Sequence, residues 1–341
     1  MKLETPHWWY LRKGAPPLRR ALLTPPSWAW AWATARRLAR GGGFDPGVPV
    51  ISIGNLTLGG SGKTPVAREV LRLLREEGVD AHGLSRGYGG RMTGPVRVDP
   101  HTHAAADVGD EPLMLGRDGP FWVARDRADG ARAAVAAGAE AIILDDGHQN
   151  PALKKAVSIV VVDGETRGGE WPFGDGSVFP AGPMRERLQT GLSRADAVVL
   201  LLPADLDAPD PELLAAFGST PVLVARLEAG APPPSGPQLG FAGIAKPWKV
   251  ERALRAAGCD LVAFVSFPDH AAYAEGDLAM LAARADQLGA GLVTTEKDWV
   301  RLPADWRSKV VAWPVRARFD DEAEARRLLS AGRPNRPSSR S

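Results

Sequence analysis

A glycine-rich stretch followed by lysine and threonine is the part of the sequence whose residue types point most directly to chemistry. It reads NLTLGGSGKTP from residue 55, after the apolar run VPVISIG and before a stretch with helical spacing. Main-chain N–H groups of such glycines can enclose phosphate oxygens, and the helix N-terminus adds partial positive charge. Lys63 can reach the β- and γ-phosphates of a nucleotide, and Thr64 can place its hydroxyl on Mg²⁺. The predicted ATP-binding residues are Thr57, Leu58, Gly59, Gly60, Ser61, Gly62, Lys63 and Thr64.

One position of this loop departs from the common pattern. Phosphate-binding loops ordinarily carry a glycine five residues before the position of Gly62, and Thr57 stands there. Threonine lacks the backbone freedom that glycine brings to a tight turn. We therefore expect the chain to approach the loop differently, while Lys63 and Thr64 keep their roles.

Two aspartates follow an apolar run further along the chain. The run AIILDD ends in Asp145 and Asp146. In phosphate-loop NTPases an aspartate at the end of such a strand helps to hold magnesium beside the loop. The pair predicts a Mg²⁺ site shared with Thr64, in which either acid can be the direct ligand. The alternative is a strand end with two solvated acids.

Two other stretches carry groups that can transfer protons. Asp110 and Glu111 lie in DVGDEPLML, where they can either cap a short helix or supply the base that deprotonates a hydroxyl. Asp269 and His270 lie in SFPDHAAY, after an apolar run, and a histidine there is either structural or catalytic. Sequence spacing alone does not join the two stretches.

Apolar runs alternate with helical stretches from residue 48 onwards. This pattern is typical of an α/β fold whose parallel sheet is covered on both faces. Ligands of such sheets bind beyond the carboxyl ends of the strands. Helices are predicted near residues 63–77 and 126–137. Strands are predicted in VPVISIGN, VDAHGLS, GPFWVA, AEAIILDD, AVSIVVVD, ADAVVLLLP and PVLVARL.

The sequence divides into a phosphate-loop domain and a second, smaller α/β domain. Residues 41–227 form the first domain, and the Pro- and Gly-rich residues 228–238 are a predicted linker. Residues 239–330 hold four more apolar runs, LGFAGI, CDLVAFVSF, GAGLVTTEKD and SKVVAWPV, interleaved with helical stretches. Residues 331–341 are predicted to be disordered.

Residues 1–40 form a predicted helical segment at a membrane interface. They carry eight lysines and arginines against one glutamate, and five of the 11 tryptophans. Basic side chains attract an anionic membrane surface, and indole rings favour the headgroup level. The alternative is a helix packed on the domain, with its tryptophans in the core. These residues are Trp8, Trp9, Trp28, Trp30 and Trp32, with Lys2, Arg12, Lys13, Arg19, Arg20, Arg36, Arg37 and Arg40.

Bulk composition excludes several classes of protein. The 341 residues are 44% apolar and 24% charged, as is usual for a globular protein, and a net charge of +2 gives no global attraction for nucleic acid. A single cysteine, Cys259, excludes a disulfide framework within the chain. No apolar run reaches the roughly 18 residues of a membrane-spanning helix. The N-terminus also lacks a cleavable signal pattern, so we expect the protein to stay in the cytoplasm.

Eight motifs occur in an order that resembles one enzyme family. They are GNLTLGGSGKTP, SRGYGG, GDEPLML, ILDDGHQNPAL, FPAGPMRE, FAGIAKP, FPDH and TTEKDWVRL. The set, together with the start HWWYL, spans residues 1–315 and resembles tetraacyldisaccharide 4′-kinase of Gram-negative bacteria. Thr57 is usual in the loop of that family.

The resemblance implies an ATP-dependent kinase of lipid A biosynthesis. The family uses ATP and Mg²⁺ to phosphorylate the 4′-hydroxyl of an acylated glucosamine disaccharide 1-phosphate, which gives lipid IVA. It works at the cytoplasmic face of the inner membrane as a peripheral or monotopic protein on an anionic surface. Its fold is two α/β/α domains with the active site between them. We expect no nucleic acid partner and infer no obligate protein partner.

The resemblance also implies roles for individual residues. Asp110 matches the proposed catalytic base and His270 its partner from the second domain, while Glu186 of FPAGPMRE is expected to approach the metal. The family usually reads DDGFQH, whereas this chain has His148 in place of the phenylalanine and Asn150 in place of the histidine. The implied catalytic residues are Asp110, His270 and Lys63, and the implied metal ligands are Thr64, Asp145, Asp146 and Glu186.

The phosphate on the acceptor predicts arginines near the cleft. Arg86 of SRGYGG and Arg127 of ARDRADGARAA are candidates, and Tyr88 can contact the sugar. The alternative is that all three are ordinary residues of surface loops and helices.

Two other functions are compatible with a phosphate loop. A soluble kinase for a small metabolite would leave the Trp-rich, basic start of the chain without a purpose. A nucleotide-dependent switch or assembly factor would hydrolyse its nucleotide without phosphorylating an acceptor. GTP-specific switches commonly carry N-K-x-D, and the nearest match in this sequence is TTEKD at residues 294–298.

Overall fold

The computed structural model describes residues 6–12 and 16–331, which form two β-sheets with helices packed against them. The predicted α/β class is confirmed. The strands are β1 (Val50–Gly54), β2 (Ala81–Ser85), β3 (Val96–Arg97), β4 (Phe121–Val123), β5 (Ala141–Asp145), β6 (Val157–Asp163), β7 (Ala197–Pro203), β8 (Val222–Ala229), β9 (Gln238–Ala242), β10 (Leu261–Ser266), β11 (Gly291–Thr295), β12 (Val310–Trp313) and β13 (Val315–Phe319).

Helices follow most of the strands. They are α1 (Pro17–Ala39), α2 (Lys63–Glu76), α3 (Ala105–Val108), α4 (Asp110–Leu115), α5 (Arg127–Ala136), α6 (Leu188–Leu192), α7 (Pro211–Ala216), α8 (Pro247–Ala256), α9 (Glu275–Leu288), α10 (Glu296–Trp299), α11 (Ala304–Arg307) and α12 (Glu322–Ala331). Short 3-10 helices span His7–Tyr10 and Arg167–Gly169.

The larger sheet has β1 at its centre. Its strand order is β13-β8-β7-β6-β1-β5-β2-β4-β3, and the pairs are parallel except β13–β8 and β3–β4 at the two edges. The inner strands are continuous apolar runs because helices cover both faces of a parallel sheet. Ile53 of β1 pairs with Asp145 of β5. The chain therefore leaves β1 directly beside the first of the two predicted metal-binding acids.

The smaller sheet holds four parallel strands in the order β10-β9-β11-β12. Its core is formed by the buried side chains of β9 and α9, among them Leu239, Phe241, Leu278 and Leu281. This unit carries the loop after β10 with His270, so it can bring that residue to the larger sheet.

The C-terminal part of the chain returns to the larger sheet, which differs from the predicted division. β13 pairs antiparallel with β8, and its Ala317 and Phe319 pack in the same core as α2 and α12. The second domain predicted at residues 239–330 therefore does not include β13 and α12. In β13 the charged Arg316 and Arg318 alternate with the apolar residues, so its sequence does not form the continuous apolar run of a buried strand.

Two short connections join the two sheets within the described residues. Residues 230–237 lead from β8 to β9, and Pro314 leads from β12 back to β13. The predicted linker at residues 228–238 overlaps the first connection, although β8 continues to Ala229.

The predicted helix in the N-terminal segment is confirmed as α1, which spans Pro17–Ala39. One face lies on the larger unit, where the buried Ser27 Oγ accepts a hydrogen bond from Ala181 N at 3.1 Å. The opposite face is open and carries large apolar side chains that are mostly exposed: Leu18, Leu22, Trp28 and Trp32. In the part of the chain that the structure describes, no helix is both long and apolar enough to cross a membrane. Lys2, Lys13 and residues 332–341 lie outside the described residues.

The N-terminal tryptophans divide between the two predicted environments. Trp9 is 6% exposed and packs edge-on against Phe179, with 5.8 Å between the ring centroids. Trp28 and Trp32 are 66% and 65% exposed. Trp9 is therefore part of the core, whereas Trp28 and Trp32 lie on the open face of α1.

Candidate active site

The phosphate loop follows β1 and ends where α2 begins. Helix α2 forms because Val66, Val70 and Leu74 recur at helical spacing and are fully buried on the sheet. The N-cap Gly62 has φ +80° and Gly59 has φ +96°, so both adopt backbone conformations that favour glycine. A Cβ atom on Gly62 would lie 2.2 Å from Leu201 Cδ2. The loop conformation thus requires glycine at these two positions.

The chain approaches the loop in an extended conformation, which explains the threonine at position 57. Thr57 forms an antiparallel bridge with Met184, and Leu58 N donates to Pro183 O at 2.7 Å. An extended, paired residue needs no glycine. The expectation that the loop begins differently is therefore confirmed, and the GPM part of FPAGPMRE is its pairing partner.

Asp145 is a buried carboxylate at the end of β5. It is 4% exposed, and its Oδ1 atom has no hydrogen-bond partner among the described residues. Burial, together with the nearby charge of Glu111, raises the pKa of the Asp145 carboxyl to about 7. A buried oxygen without a partner beside a phosphate loop fits a hard cation, which prefers such ligands.

Asp146 is held by two basic side chains. Lys63 Nζ lies 3.5 Å from its Oδ1, and Arg185 Nη1 donates to Oδ1 and Oδ2 at 2.9 and 3.0 Å. Desolvation by the surrounding protein works to raise the pKa of this carboxyl, but the charges of Lys63 and Arg185 outweigh it and lower the pKa to about 2. Asp146 is therefore a charged partner of the loop lysine.

Few of the described side chains are available to hold magnesium at this site. Among the described residues, no group of three or more His, Cys, Asp and Glu converges on a metal position. Mg²⁺ does not need one, because it commonly takes one or two carboxylates together with water and substrate phosphates. The free oxygen of Asp145, with Thr64 at the start of α2, fits this mode of binding.

Glu186 is engaged in an ion pair rather than left open. Arg194 Nη2 donates to its two carboxylate oxygens at 2.7 and 2.6 Å, and Gln149 Nε2 donates to Oε1 at 3.0 Å. The side chain is buried, and the arginine neutralises it. Its expected place at the metal gains no support from these contacts and stays a prediction.

Arg185 is a site residue that sequence reasoning missed. Its guanidinium donates to Asp146 and also, through Nε, to the main-chain oxygen of Thr57 at 3.1 Å. It therefore links the start of the phosphate loop to the strand-end acid. The available signal was its place next to Glu186 in FPAGPMRE, but an arginine in a motif does not by itself reveal its partner.

Asp110 and His270 are in direct contact across the two units. His270 Nδ1 and Asp110 Oδ2 are 2.9 Å apart, and Arg301 Nε donates to the same oxygen at 3.0 Å. Burial works to raise the pKa of Asp110, but the hydrogen bond from His270 and the charges of Lys297 and Arg301 outweigh it and hold the pKa well below its usual range. Asp110 is thus an ionised carboxylate facing a histidine.

The backbone fixes both members of this pair. Asp110 is the first residue of α4, and its Oδ1 accepts a hydrogen bond from Glu111 N at 2.9 Å. The N-cap of α4 is Gly109, so Asp110 is an acid of the first turn, and its role as the base stays a prediction. His270 has φ +56°, an uncommon value for a residue other than glycine, and its N–H donates to Gly243 O at 3.1 Å.

The candidate substrate residues differ in exposure, and Tyr88 is the one that contacts His270. The Tyr88 ring is 77% exposed, with its centroid 5.9 Å from that of His270, and Arg86 is also exposed. Arg127 is buried, and its Nη1 donates to Ala124 O at 2.5 Å. Burial, followed by the charge of Arg86, lowers the pKa of Arg127 to about 10. Arg86 and Tyr88 are therefore better placed than Arg127 for direct contact with a substrate.

The two departures from the usual family motif are structural. The buried His148 ring lies 3.0 Å from Ser158 Oγ and 3.0 Å from Gly191 O. Burial lowers its pKa to about 4, so it is neutral at physiological pH. Asn150 accepts a hydrogen bond from Ala152 N at 2.8 Å in a turn.

Comparison with known proteins decides the family. The family model for tetraacyldisaccharide-1-P 4′-kinase matches residues 19–332. The chain belongs to this family. A tetraacyldisaccharide 4′-kinase of Caulobacter vibrioides is 68% identical over 330 residues, which cover 96% of this chain and 98% of that protein. One from Phenylobacterium zucineum is 66% identical over 324 residues, which cover 95% and 97%.

A solved structure supports the fold of this tetraacyldisaccharide-1-P 4′-kinase family member. The crystal structure of the "apo" form of LpxK from Aquifex aeolicus in complex with ATP matches with a TM-score of 0.72. It is 24% identical, and the match covers 93% of this chain and all of that one. The family assignment confirms the predicted kinase class. Glu111, the neighbour of Asp110, is close enough to the strand-end acids for its charge to raise the pKa of the Asp145 carboxyl.

Proposed function

We propose that this protein transfers the γ-phosphoryl group of ATP to the 4′-hydroxyl of tetraacyldisaccharide 1-phosphate, the reaction that forms lipid IVA in lipid A biosynthesis. The family and the names of its relatives support the reaction. The observation that carries it is the pair formed by Asp110 and His270 across the two units, because a kinase needs a base for the acceptor beside its phosphate loop.

The nucleotide binds on the glycine-rich loop. Main-chain N–H groups from Gly59 to Thr64 enclose the phosphates, and Lys63 neutralises charge between the β- and γ-phosphoryl groups. Asp146 and Arg185 hold the lysine and the loop in place before ATP arrives. Thr64 and Asp145 would hold Mg²⁺, which when bound neutralises charge on the phosphate oxygens.

Asp110 accepts the proton of the attacking hydroxyl, and His270 orients the carboxylate. Arg301 and Lys297 keep Asp110 ionised, which makes it a weak base. A weak base suffices because phosphoryl transfer passes through a loose transition state that needs little early proton removal. Glu111 pairs with Lys297, whose Nζ donates to it at 3.1 Å, and stays beside Asp110 as a structural acid.

The acceptor is an acylated glucosamine disaccharide 1-phosphate. The exposed Arg86 can pair with its phosphate, and Tyr88 can lie against the sugar beside His270. The buried Arg127 lies close enough to Arg86 to feel its charge, and its Nη1 donates to the main-chain oxygen of Ala124. The two units serve as a phosphate-loop domain and a second domain that closes the site over both substrates.

The open face of α1 provides the contact with lipid. The face carries exposed leucine and tryptophan side chains and is flanked by arginines, which suits an anionic bilayer surface. Since ATP is cytoplasmic, we place the protein at the cytoplasmic face of the inner membrane as a peripheral protein. Acyl chains of the acceptor then remain in the bilayer while its sugar reaches the loop.

The test is direct transfer of label. The full chain is incubated with γ-labelled ATP, Mg²⁺ and the lipid disaccharide 1-phosphate in detergent micelles, and the lipid is separated and counted. Lys63→Ala is the control for contaminating kinases. Label on the 4′ position supports the proposal. ATP hydrolysis without labelled lipid would favour a nucleotide-dependent switch, and labelling of a water-soluble acceptor alone would favour a metabolite kinase.

A further inference from the structure

A tyrosine near the N-terminus contacts the phosphate loop directly. The Tyr10 hydroxyl donates a hydrogen bond to Leu58 O at 2.8 Å. A Cβ atom on the next residue, Gly59, would lie 2.5 Å from the same hydroxyl oxygen. The segment is itself fixed, because Trp171 N donates to Tyr10 O at 2.7 Å. Tyr10 therefore ties a fixed segment to the first turn of the loop.

Helix α1 makes a second contact with the same site. Trp30 Nε1 donates to the main-chain oxygen of Arg185 at 3.2 Å, and its ring packs on Phe179 with 4.8 Å between centroids. The guanidinium of Arg185 donates in turn to Thr57 O and Asp146. The helix is thereby connected to the start of the loop and to the acid that faces Lys63.

We propose that Tyr10 and Trp30 are positioning residues for the nucleotide. They hold the phosphate loop and Arg185 in the geometry that binds phosphates, so the N-terminal segment contributes to ATP affinity in addition to its contact with lipid. This inference rests on the proposed nucleotide site. Tyr10 acts through Leu58, and Trp30 acts through Arg185.

The physical reason is preorganisation. A loop that must be ordered on binding loses affinity, because the ordering costs free energy that the contacts have to offset. Gly59 and Gly62 give this loop unusual backbone freedom. Helix α2 fixes its end, whereas its start depends on the contacts of Leu58 and Thr57 with neighbouring segments.

The test removes each hydrogen bond while keeping an aromatic ring. Tyr10→Phe deletes the hydroxyl, and Trp30→Phe deletes the N–H donor but leaves a ring against Phe179. The matched control is Trp313→Phe, because Trp313 Nε1 also donates to a main-chain oxygen, that of Ala231 at 3.1 Å, on the smaller unit. The dissociation constant of ATP with Mg²⁺ is measured by titration calorimetry on the full chain. The unfolding midpoint is measured for every variant.

Each variant of the N-terminal segment should bind ATP about fivefold more weakly, which is the scale of one net hydrogen bond. The KM for the lipid acceptor should stay unchanged. The dissociation constant of ATP for the double variant should be at least as high as the higher of the two single-variant values. Trp313→Phe should lower the unfolding midpoint and leave the ATP dissociation constant as in the wild type.

Unchanged ATP binding in the double variant overturns the proposal. So does a loss of ATP binding that Trp313→Phe reproduces, because the effect would then be general destabilisation. The ATP titration that decides the proposal contains no lipid acceptor. A wild-type protein that binds ATP but labels no lipid therefore overturns the proposed function and leaves this inference standing, whereas a wild type that binds no ATP overturns this inference.

Discussion

Asp110 concentrates several charges on one carboxylate. Its Oδ2 atom contacts both His270 and Arg301, while its Oδ1 atom accepts the N–H of the following residue. The contacts that fix the orientation of this carboxylate also lower its basicity. In phosphoryl transfer the orientation matters more, because positioning and electrostatic stabilisation account for most of the rate enhancement.

The first prediction concerns this pair. Asp110→Ala and His270→Ala should each lower kcat by roughly 10²–10⁴-fold, the usual range for acid–base groups. Groups that act as a unit are not additive, so the double variant should be little worse than the poorer single one. The measurement is steady-state kinetics with the lipid acceptor. His101→Ala, which changes an exposed loop histidine, is the control and should keep wild-type kinetics.

Two results would contradict the pair. If the losses in kcat multiply in full, Asp110 and His270 act independently. If His270→Ala keeps wild-type kcat, the histidine is structural, and Arg301 is then the group that orients Asp110.

The second prediction separates the two strand-end acids. Asp145→Asn should raise the Mg²⁺ concentration for half-maximal activity at least about tenfold, because even groups that only support a metal ligand change affinity on that scale. Asp146→Asn should change this concentration less and mainly lower kcat, since it releases Lys63 and Arg185. Activity is measured across a magnesium titration. The opposite order would place the metal on Asp146.

Sequence reasoning reached the residues of this site that carry their own local signal. Lys63 and Thr64 stand at fixed spacing in a glycine loop, and Asp145 ends an apolar strand, so pattern and chemistry coincide. Arg185 and Arg301 carry no such signal, because their partners Asp146 and Asp110 are remote in sequence. The resemblance to a family paired Asp110 with His270, which spacing alone did not do.

At the scale of elements, α1 is polarised in an unusual way for a surface helix. The two buried residues, Ser27 and Thr34, are small and polar, and the ring of Trp30 packs against Phe179. The other large apolar side chains, those of Leu18, Leu22, Trp28 and Trp32, point outward. Exposing leucine and tryptophan to water gains nothing for folding, so the arrangement indicates contact with another apolar phase. Some arginines of the N-terminal segment pair with acids of the protein itself. Arg12, which precedes α1, pairs with Asp210 and Glu212, and Arg20 of α1 pairs with Asp175.

The third prediction follows from this face. Replacing Leu18, Leu22, Trp28 and Trp32 together by alanine should abolish binding to anionic vesicles, because each side chain contributes roughly 1.5–3 kcal/mol when fully buried. Vesicle co-sedimentation measures the bound fraction. A matched quadruple alanine variant at exposed apolar residues of the smaller unit, Val262, Met280, Leu288 and Val311, should bind as the wild type does. Equal loss in both variants would remove α1 as the specific lipid contact.

A charge variant completes this test. Replacing the exposed Arg19, Arg37 and Arg40 by glutamine should weaken vesicle binding and reduce its sensitivity to salt, because exposed charges are screened within about 8 Å at physiological ionic strength. These arginines suit the test better than Arg12 and Arg20, whose acidic partners lie in the protein itself.

Strand β13 shows where pattern reading of elements fails. Strands that are buried on both faces can be recognised in the sequence as continuous apolar runs. The runs of this kind in the phosphate-loop unit correspond to strands of the larger sheet. β13 lies at the sheet edge, where Arg316 and Arg318 alternate with the apolar residues and Arg318 Nη1 donates to Glu69 of α2. Five residues of alternating pattern after a proline carry too little information to show which of two sheets they join.

At the scale of the molecule, ionic contacts fasten the smaller unit to the larger one next to the nucleotide site. Asp163 at the end of β6 accepts both Lys249, at 2.6 and 2.7 Å, and Lys246, at 3.2 Å, while Lys246 also pairs with Glu170. The side chains of these four residues are only 15–22% exposed. A second set, Asp110 with Arg301 and Glu111 with Lys297, fastens the other side of the site. Contacts made by ion pairs can be released and re-formed, which suits the closure of the two units that we propose.

The fourth prediction tests the first of these fastenings. Asp163→Asn leaves two partly buried lysines with a neutral partner, and it should lower the free energy of unfolding by about 2–3 kcal/mol at pH 7, somewhat less than for a fully buried pair.

Burial works to raise the pKa of Asp163, but Lys249 and Lys246 outweigh it and lower the pKa. A carboxyl with a lowered pKa stabilises the folded state above its ordinary pKa of 3.8 and loses this effect as the pH falls below it. The difference between wild type and Asp163→Asn should therefore persist from pH 7 to about pH 5 and shrink towards pH 3. Urea unfolding at each pH measures it, with Asp129→Asn, from an exposed pair within α5, as a control expected to change stability by less than about 1 kcal/mol. A difference that is constant across this pH range would show that the aspartate acts through packing rather than through its charge.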